Sequence, residues 1–488
     1  MSKLIADTLK TFFNVGKFIA KGYVLKKEEG ARFAKNSEQN EIINSSNRGL
    51  LINGINKRLS EKESFKHIAI IAKSGIGKTT GYIYPNIFDK ADSNCSMLIT
   101  DPSSEIYETT SQHLKNRGFK IVRLNPSNIN QSSRFNPFHG LGAEDIIEIE
   151  QICTSIIKSK YGNDKEQVWN DGAISLLELF AKCLAYTQPE YLNLPNLNYL
   201  IQMFGESGEN LDDWVIEHSI NPYDEQDRSI LDFWIGLRSN NANMLTSYAT
   251  IVKTALKQLN NRKIQRLLSN NDIDLEDFRK QKTAIFLSFP DNQQDYYQFL
   301  VDIFYARFFS VMMSKKPTPR DLNVYCFLDE FGNAYVDNFP TIVTTIRKYR
   351  VSLSVVLQGI SQLNKKYGDM AKSGISSFII YAGGDYETLN EQSQLIGKKR
   401  IIQRNKFEDH VTSYQDIDLL PPAELRTMKD NQALFLSSNK YPFIFEFQPF
   451  YKNRKFLTLS KKGEYIPLEK QKDMCWNQLF LKKNNKNK

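Results

Sequence analysis

Long apolar runs, paired cysteines and internal repeats are all missing from this 488-residue sequence. No apolar run approaches the ~18 residues that a membrane-spanning helix needs, and no signal peptide is visible. The five cysteines have neither metal-site nor disulfide-framework spacing, which excludes both kinds of site: Cys95, Cys153, Cys183, Cys326 and Cys475. We therefore expect reduced, buried thiols in a cytoplasmic protein.

Acidic residues are outnumbered, since 55 Asp and Glu stand against 64 Lys and Arg, a formal net charge of +9. This charge favours an acidic partner, either nucleic acid or anionic lipid, and a basic surface that only aids solubility is the alternative. The hydrophobic fraction of 41% is ordinary for a globular protein and can fill a large core. The length corresponds to about three domains.

The clearest motif follows residues 67–71, an apolar run that predicts a buried strand. Its residues are Ala72, Lys73, Ser74, Gly75, Ile76, Gly77, Lys78, Thr79 and Thr80. A strand, a glycine-bearing loop and Gly-Lys-Thr are typical of a Walker A loop, in which the backbone N–H groups cradle phosphate oxygens. We expect residues 74–80 to hold the nucleotide, with Lys78 at its β- and γ-phosphates and Thr79 on Mg²⁺. Ala72 replaces the usual leading glycine, and a small residue still permits the turn; a chance match in an ordinary loop is the alternative.

Short apolar strands alternate with helical patterns on both sides of a long helical stretch, which predicts an α/β fold with a mostly parallel sheet. The stretch from 142 to 272 shows almost no strand signal and is interpreted as an inserted all-α domain. Its last helix is predicted to run from 244 to 268 and to be basic, which favours either contact with phosphates or a solvated face. The basic residues are Lys253, Lys257, Arg262, Lys263 and Arg266. The remaining predicted segments are an amphipathic helix and linker (1–47), two parts of a nucleotide-binding domain (48–141 and 273–455) and a basic tail (456–488).

A second apolar strand, 323–328, ends in Asp329 and Glu330. Asp329 is expected to hold the Mg²⁺ water shell, and Glu330 to polarise the attacking water as a general base. Gln358 ends the next strand and in a parallel sheet would lie at the same edge, as a sensor of the γ-phosphate. A solvated pair of acids and a strand-terminal cap are the respective alternatives.

Two arginines, Arg347 and Arg350, lie between these strands in the sequence. Phosphoryl transfer gains from a cation at the transition state, which a neighbouring subunit often supplies. We favour Arg347 as this arginine finger. An arginine on a helix surface or facing DNA is the competing interpretation.

The first 27 residues have helical periodicity, with an apolar stripe that includes Phe12 and Ile19 opposite a basic face of Lys3, Lys10 and Lys17. A helix of this kind lies in a membrane surface, so we expect peripheral contact with the inner face of the cell membrane. Packing of the stripe on protein is the alternative.

Taken together, the motifs resemble those of the type IV coupling proteins of conjugation, the TraG/TraD-like DNA-transfer ATPases. The resemblance extends over roughly residues 49–451 and rests on the order of the following segments: 101–107 (like Asp-Pro-Lys-Gly-Glu), 134–138 (Arg-Phe-Asn-Pro), 328–333 (Leu-Asp-Glu-Phe-Gly-Asn), 358–368 and 419–426. Ser103 and Ser104 replace the Lys-Gly of the family pattern, and the membrane-spanning helices with which the family usually begins are not seen.

This resemblance implies a RecA-like P-loop motor that uses ATP and Mg²⁺, an all-α domain at its inner mouth and a homo-hexameric ring. It also implies a protein that links a relaxase–DNA complex to other type IV secretion components and pumps single-stranded DNA. A double-stranded DNA translocase of the chromosome-segregation type is one alternative, although the short tail cannot hold the winged helix usual there. A nucleotide-binding adaptor that recruits relaxase without turnover is another, and an intact Glu330 argues against it.

Overall fold

The computed structural model describes residues 25–162, 167–239, 241–404, 411–467 and 477–481. The predicted amphipathic helix therefore lies outside the described residues, except that Leu25 and the two residues after it begin a strand. Residues 482–488 and Cys475 also lie outside. The other four cysteines are buried free thiols, as predicted. None of the described helices is both long and apolar enough to cross a membrane.

The strands of the described residues are numbered in chain order: β1 (Leu25–Gly30), β2 (Ile43–Asn44), β3 (Arg58–Leu59), β4 (Ile68–Ile71), β5 (Cys95–Thr100), β6 (Lys120–Leu124), β7 (Thr283–Leu287), β8 (Asn323–Leu328), β9 (Val351–Leu357), β10 (Ser377–Tyr381), β11 (Lys398–Arg404), β12 (Val411–Asp418), β13 (Gln432–Ser437) and β14 (Lys440–Glu446). Nine of them form one sheet in the order β14-β13-β10-β4-β9-β8-β5-β7-β6. The seven from β10 to β6 are parallel, and β13 and β14 add an antiparallel edge. The predicted α/β fold with a mostly parallel sheet is confirmed.

The α-helices of the described residues are α1 (Asn36–Ile42), α2 (Glu61–Ser64), α3 (Tyr84–Lys90), α4 (Glu105–Asn116), α5 (Ile146–Tyr161), α6 (Gln167–Thr187), α7 (Leu194–Met203), α8 (Asp212–His218), α9 (Ser229–Arg238), α10 (Ala242–Ala255), α11 (Arg262–Leu268), α12 (Gln294–Ser314), α13 (Phe339–Thr345), α14 (Ser361–Ser373), α15 (Tyr386–Ile396), α16 (Pro422–Arg426) and α17 (Arg454–Ser460). Helices α5 to α11 lie between β6 and β7 in the chain, which confirms an inserted all-α region.

Both faces of the large sheet are covered, because its central strands β5, β7 and β9 are buried along their whole length. On one face, Leu98 packs into a core shared with α12 and the all-α helices. On the other face, Met97 and Ile99 pack into a core that includes residues of α3, α4 and α17. Continuous burial explains why these strands are mostly apolar in sequence, without a regular alternation of polar and apolar residues.

The long helix predicted for residues 244–268 is wrong, because α10 ends at Ala255 and α11 begins at Arg262. The side chain of Asn261 accepts a hydrogen bond from the backbone N–H of Lys263 at 2.9 Å, which caps the start of α11. The predicted basic residues are therefore spread over two helices and the short turn between them. They do not share one helix face.

The polar segment 28–47, the linker part of the predicted segment 1–47, instead contains the end of β1 and all of α1 and β2. Strand β1 pairs antiparallel with β11, and β11 pairs with β12 in a separate three-stranded sheet. Ile42 and Ile43 are buried, and Arg32 contacts Glu38 at 2.6 Å. Backbone pairing and a few buried side chains therefore order a segment whose composition is mostly polar.

The segment 456–488, predicted as a basic tail, begins inside α17, where Phe456 is buried. Residues 477–481 lie on α7, where Leu479 is buried in the all-α core. The backbone N–H of Leu479 donates to Asn196 Oδ1 at 3.1 Å. This described part of the segment joins the nucleotide-binding and all-α regions.

Candidate nucleotide site

The Walker A residues leave β4 at its carboxyl end and lead into a π-helical turn, Thr79–Ile83, and α3. Gly75 and Gly77 have φ angles of +84° and +96°, in the left-handed region that residues with a side chain rarely adopt. These two glycines allow the loop to turn back toward the helix. Ala72 directly follows β4 and its N–H donates to the Leu357 carbonyl of β9 at 3.0 Å, so the tight turn begins after it and a Cβ is tolerated there.

Three neighbouring parallel strands bring the predicted residues to one edge of the sheet. Strand β4 lies beside β9, and β9 lies beside β8, so their carboxyl ends meet. Lys78 follows β4, Glu330 follows β8, and Gln358 follows β9. The structure therefore brings these side chains together, and the roles expected for them stay predictions.

Lys78 is only 7% exposed and contacts both acidic residues. Its Nζ lies 2.5 Å from Glu330 Oε1 and 3.3 Å from Asp329 Oδ1. The Thr79 hydroxyl donates to Asp329 Oδ2 at 3.1 Å. In this arrangement the acids neutralise the lysine that is expected to bind phosphate.

The charges of this cluster affect one another. Burial acts to lower the pKa of Lys78, but the carboxylates of Asp329 and Glu330 outweigh it and the pKa is raised. Burial also raises the pKa of Asp329, and Lys78 opposes that shift without cancelling it. Lys78 is thus firmly protonated, as a phosphate-binding cation must be.

Gln358 contacts the Glu330 carboxylate through the oxygen that Lys78 does not contact. Its Nε2 donates to Glu330 Oε2 at 3.0 Å, and its backbone N–H donates to Gln362 Oε1 at 2.8 Å. The Gln362 side chain packs against Gly332, where an added Cβ would lie 2.5 Å from the amide. The sequence signal for Gln362 is its spacing of four residues from Gln358, which by itself does not indicate a role.

Asp101 is a second group near the site whose contacts no sequence motif indicated. It directly follows β5, which is next to β8 in the sheet, and its carboxylate accepts the N–H groups of Ile106 and Tyr107 at 3.1 and 2.7 Å. Burial raises the pKa of Asp101 to about 7, against the effect of these two hydrogen bonds. Asp101 therefore fixes the start of α4 beside the candidate site.

Arg347 does not join the cluster within its own chain. It is exposed and lies in the turn Ile346–Tyr349, before β9, and therefore at the edge of the sheet opposite to Gln358. Arg350 follows in the same region, and its Nη2 donates to the Asp321 carbonyl at 2.8 Å.

The residues at this edge suit a magnesium–nucleotide complex. The Thr79 hydroxyl and the Asp329 carboxylate supply the oxygen donors that Mg²⁺ prefers. A buried lysine and the backbone N–H groups of a glycine-bearing turn are suited to phosphate oxygens. The geometry is therefore that of a P-loop site, with the groups for metal, phosphate and water converging from three strands.

Comparisons with known proteins agree with this geometry. A family model described as "Type IV secretory system Conjugative DNA transfer" matches residues 25–474. Protein VirD4 of Rhizobium radiobacter is 23% identical over 410 residues, which cover 80% of this chain and 57% of that protein. VirD4 of Agrobacterium fabrum is also 23% identical, with 80% and 59% covered. The chain therefore spans somewhat more than half the length of these curated relatives.

Solved structures of the plasmid coupling protein TrwB share the fold. TrwB in complex with the GTP analogue GDPNP has a TM-score of 0.68 at 15% identity, with 88% of this chain and 97% of that chain covered. TrwB in complex with ADP and Mg²⁺ has a TM-score of 0.67 at 14% identity, with 87% and 95% covered. With the family match extending over most of its length, this chain belongs to the conjugative DNA-transfer family of type IV secretory systems.

Proposed function

We propose that the protein is an ATP-driven coupling protein, which links a relaxase–DNA complex to a type IV secretion channel and pumps single-stranded DNA. The observation that carries this proposal is the convergence of Lys78, Thr79, Asp329, Glu330 and Gln358 at one sheet edge in a chain of this family. The nucleotide and Mg²⁺ held by the TrwB structures support ATP and Mg²⁺ as cofactors here.

Nucleotide binding would use the Walker A residues. The N–H groups of residues 74–80 surround the phosphates, and Lys78 leaves Glu330 to contact the β- and γ-phosphate oxygens. Mg²⁺, held by Thr79 and the water shell on Asp329, would neutralise charge that develops on the phosphate oxygens. When Lys78 moves from the two carboxylates to the phosphates, Glu330 loses its ion-pair partner.

Water activation would fall to Glu330. Once Lys78 has moved to the phosphates, the Glu330 carboxylate is free to accept a proton from an attacking water, and Gln358 holds its other oxygen. Because Gln358 contacts Glu330 directly, it is placed to sense whether a γ-phosphate is present.

The arginine finger would come from a neighbouring subunit of a homo-hexamer. Arg347 is exposed at the far edge of the sheet, where it can contact another copy but not its own site. Arg350 is less suited to this role because its guanidinium already donates to backbone carbonyls of Thr318 and Asp321. We further propose peripheral contact with the inner face of the cell membrane through the first 27 residues, whose apolar stripe and lysines support it.

Hydrolysis of ATP with single-stranded DNA, duplex DNA and no DNA tests the proposal. We expect single-stranded DNA to stimulate turnover most, and Lys78→Ala to lower it at least about 100-fold. Lys73→Ala is the matched control, since this lysine is exposed on the same loop. Stronger stimulation by duplex DNA would favour the duplex translocase. Nucleotide binding without turnover would favour the relaxase-recruiting adaptor.

A further inference from the structure

Residues 331–337, here called the coupling segment, directly follow Glu330 and are held from two sides. On one side is α14, which begins three residues after Gln358. The Lys366 Nζ donates to the Ala334 carbonyl at 3.1 Å, and the Tyr367 hydroxyl donates to the same carbonyl at 2.9 Å. Tyr367 also accepts the N–H of Val336 at 2.9 Å. Glu330 and Gln358, which contact each other at the candidate nucleotide site, are thus both connected to this segment.

On the other side is α5, the first helix of the all-α region. The Asp302 carboxylate on α12 accepts the Tyr335 N–H at 2.9 Å through one oxygen and the Ser159 hydroxyl at 2.6 Å through the other. One residue earlier on α5, Lys158 Nζ lies 3.3 Å from Asp337 Oδ1. Two consecutive residues of α5 therefore contact the coupling segment, one directly and one through Asp302.

Asp302 makes this connection a tight one. It is 2% exposed, and a third donor, Gln298 Nε2, lies 2.8 Å from it. A carboxylate buried this deeply is costly to leave without its hydrogen-bond donors. A displacement of Tyr335 therefore either carries Asp302 with it, which strains the contact with Ser159, or leaves Asp302 Oδ1 with the Gln298 amide and one donor fewer.

There is room for such a displacement. A cavity of about 320 Å³ lies between α5, α12 and the end of the coupling segment, where Asp337 and Asn338 line it. The segment and the start of α13 can shift into this space without overlapping α5.

We propose that residues 331–337 couple the nucleotide site to the all-α region, with Asp302 as the positioning residue that joins Tyr335 to Ser159. Loading of the nucleotide moves Glu330, the segment follows, and α5 receives the movement at Lys158 and Ser159. In the reverse direction, DNA that shifts α5 would change the position of Glu330 and hence the hydrolysis rate. The DNA part of this inference rests on the proposed function; the nucleotide part does not.

The test compares two double variants of the full chain. Lys158→Ala with Ser159→Ala removes both contacts of α5. Ser155→Ala with Lys160→Ala is the matched control, because Ser155 donates only to the Gln151 carbonyl of its own helix and Lys160 is exposed. Ser159→Thr, which keeps the hydroxyl, is the conservative variant.

Two readouts are measured on each protein. The first is hydrogen exchange of residues 146–161 with and without a non-hydrolysable ATP analogue. The second is kcat and KM for ATP with and without single-stranded DNA. In the wild type, the control and Ser159→Thr we expect the analogue to change exchange in α5 and DNA to raise kcat. In Lys158→Ala with Ser159→Ala we expect the KM for ATP and the turnover without DNA to be unchanged. We expect the ATP analogue to cause no change of exchange in α5, and DNA to stimulate turnover at least about fivefold less than in the wild type.

The outcomes separate this inference from the proposed function. Responses that survive in Lys158→Ala with Ser159→Ala, or α5 exchange that ignores the nucleotide in the wild type, overturn the coupling. The coupling is supported if the nucleotide changes α5 exchange in the wild type and this response is lost only in Lys158→Ala with Ser159→Ala. If that result is found and DNA does not stimulate turnover, the coupling stands and only the proposed DNA motor fails.

Discussion

Ser104 has a φ angle of +67°, in the left-handed region, at the turn between β5 and α4. The family pattern has glycine at this place, and the backbone gives the reason, since a side chain there costs about 1–2 kcal/mol. The Ser104 side chain makes no capping hydrogen bond that would offset this cost.

We therefore expect Ser104→Gly to stabilise the fold by about 0.5–1 kcal/mol, because glycine relieves the strain but loses more entropy on folding. Urea unfolding measures it as a higher midpoint. Ser103→Gly is the control, because Ser103 is not among the residues with positive φ. Equal midpoints for the wild type and Ser104→Gly would show that the turn carries no strain.

Glu330→Gln removes the proposed base while it keeps the shape of the side chain. We expect nucleotide binding to persist, because Lys78 leaves Glu330 when it binds phosphate, and kcat to fall by about 100-fold or more, because proton transfer from water is lost. Fluorescent-nucleotide binding and steady-state hydrolysis measure the two quantities. Near-normal turnover would falsify the assignment.

His67 is completely buried before β4, and its Nδ1 accepts the N–H of Leu353 at 3.1 Å. Burial lowers its pKa to about 3, and the nearby charge of Arg347 contributes. Below a pH of about 6.5, the ordinary pKa of histidine, His67 therefore binds a proton in the unfolded chain but not in the folded chain. This stabilising contribution is complete above that value and is lost as the pH falls toward about 3.

We expect the free energy of unfolding to decrease from pH 7 to pH 5, and His67→Asn to decrease less over the same interval. Asparagine tolerates the φ of +66° at this position and does not titrate. Denaturant unfolding at the two pH values measures the difference. An identical decrease in both proteins would mean that His67 is not responsible.

At the scale of residues, the sequence could predict the side chains that a local motif fixes. Lys78 and Thr79 follow from the loop pattern, and Glu330 and Gln358 from their places at strand ends. Gln362 and Asp302 acquire their contacts only through the packing of separate helices, so no local pattern could reveal them.

Among the elements, the turn after β2 is held by the segment after β14. Gly54 has a φ of +67°, and an added Cβ would lie 2.1 Å from the Gln448 carbonyl oxygen. The Gln448 N–H in turn donates to the Asn53 carbonyl at 3.0 Å. Backbone from two distant parts of the chain thus meets at a point where only glycine fits.

We expect Gly54→Ala to destabilise the fold by at least about 2 kcal/mol more than Gly118→Ala, because it adds overlap with backbone to the strain of a positive φ. Gly118 is the matched comparison, since its φ is +83° and an added Cβ would meet nothing within 4 Å. Thermal or urea unfolding of both variants measures the difference. Equal losses of stability in the two variants would mean that the backbone at Gln448 moves away from the added Cβ at no cost.

Strands β4, β5, β7 and β9 were predictable because each is a mostly apolar run that is buried along its whole length. Strands β1, β11 and β12 were not, since their sequences are rich in charge and their order comes from backbone pairing. The break between α10 and α11 depends on a single cap by Asn261, which an apolar periodicity does not register.

For the whole molecule, the position of Arg347 has a consequence for assembly. The side chain lies at the sheet edge opposite to its own Lys78, so a role in hydrolysis requires a second copy of the chain. We expect Arg347→Ala and Glu330→Gln each to be inactive alone and to regain activity when mixed, because some interfaces then combine an intact arginine with an intact glutamate.

Hydrolysis by mixed proteins, with mixed assemblies verified by mass, measures this recovery. Lys348→Ala is the control for Arg347→Ala, since Lys348 is exposed in the same turn. Absence of recovery in verified mixed assemblies would count against action between subunits.

The fold class and the inserted all-α region were predictable for the whole chain, because the motif order and the change in periodicity span it. The docking of residues 477–481 on α7 was not, since it depends on one buried side chain, Leu479, and on polar contacts with Asn196. The segment 456–488, which is basic in sequence, thus has described parts that pack on both the nucleotide-binding and the all-α regions.

The contact of Lys78 with Glu330 would make nucleotide binding an exchange of anions. In the structure the lysine already has a negative partner, so in the proposed mechanism arriving phosphates would replace one anion by another at a single cation. When the phosphate groups leave, the glutamate would return and no counter-ion from solvent would be needed. We expect the site to resist sulfate and other stray oxyanions as a result, and to reset itself after each turnover with a group that belongs to the chain.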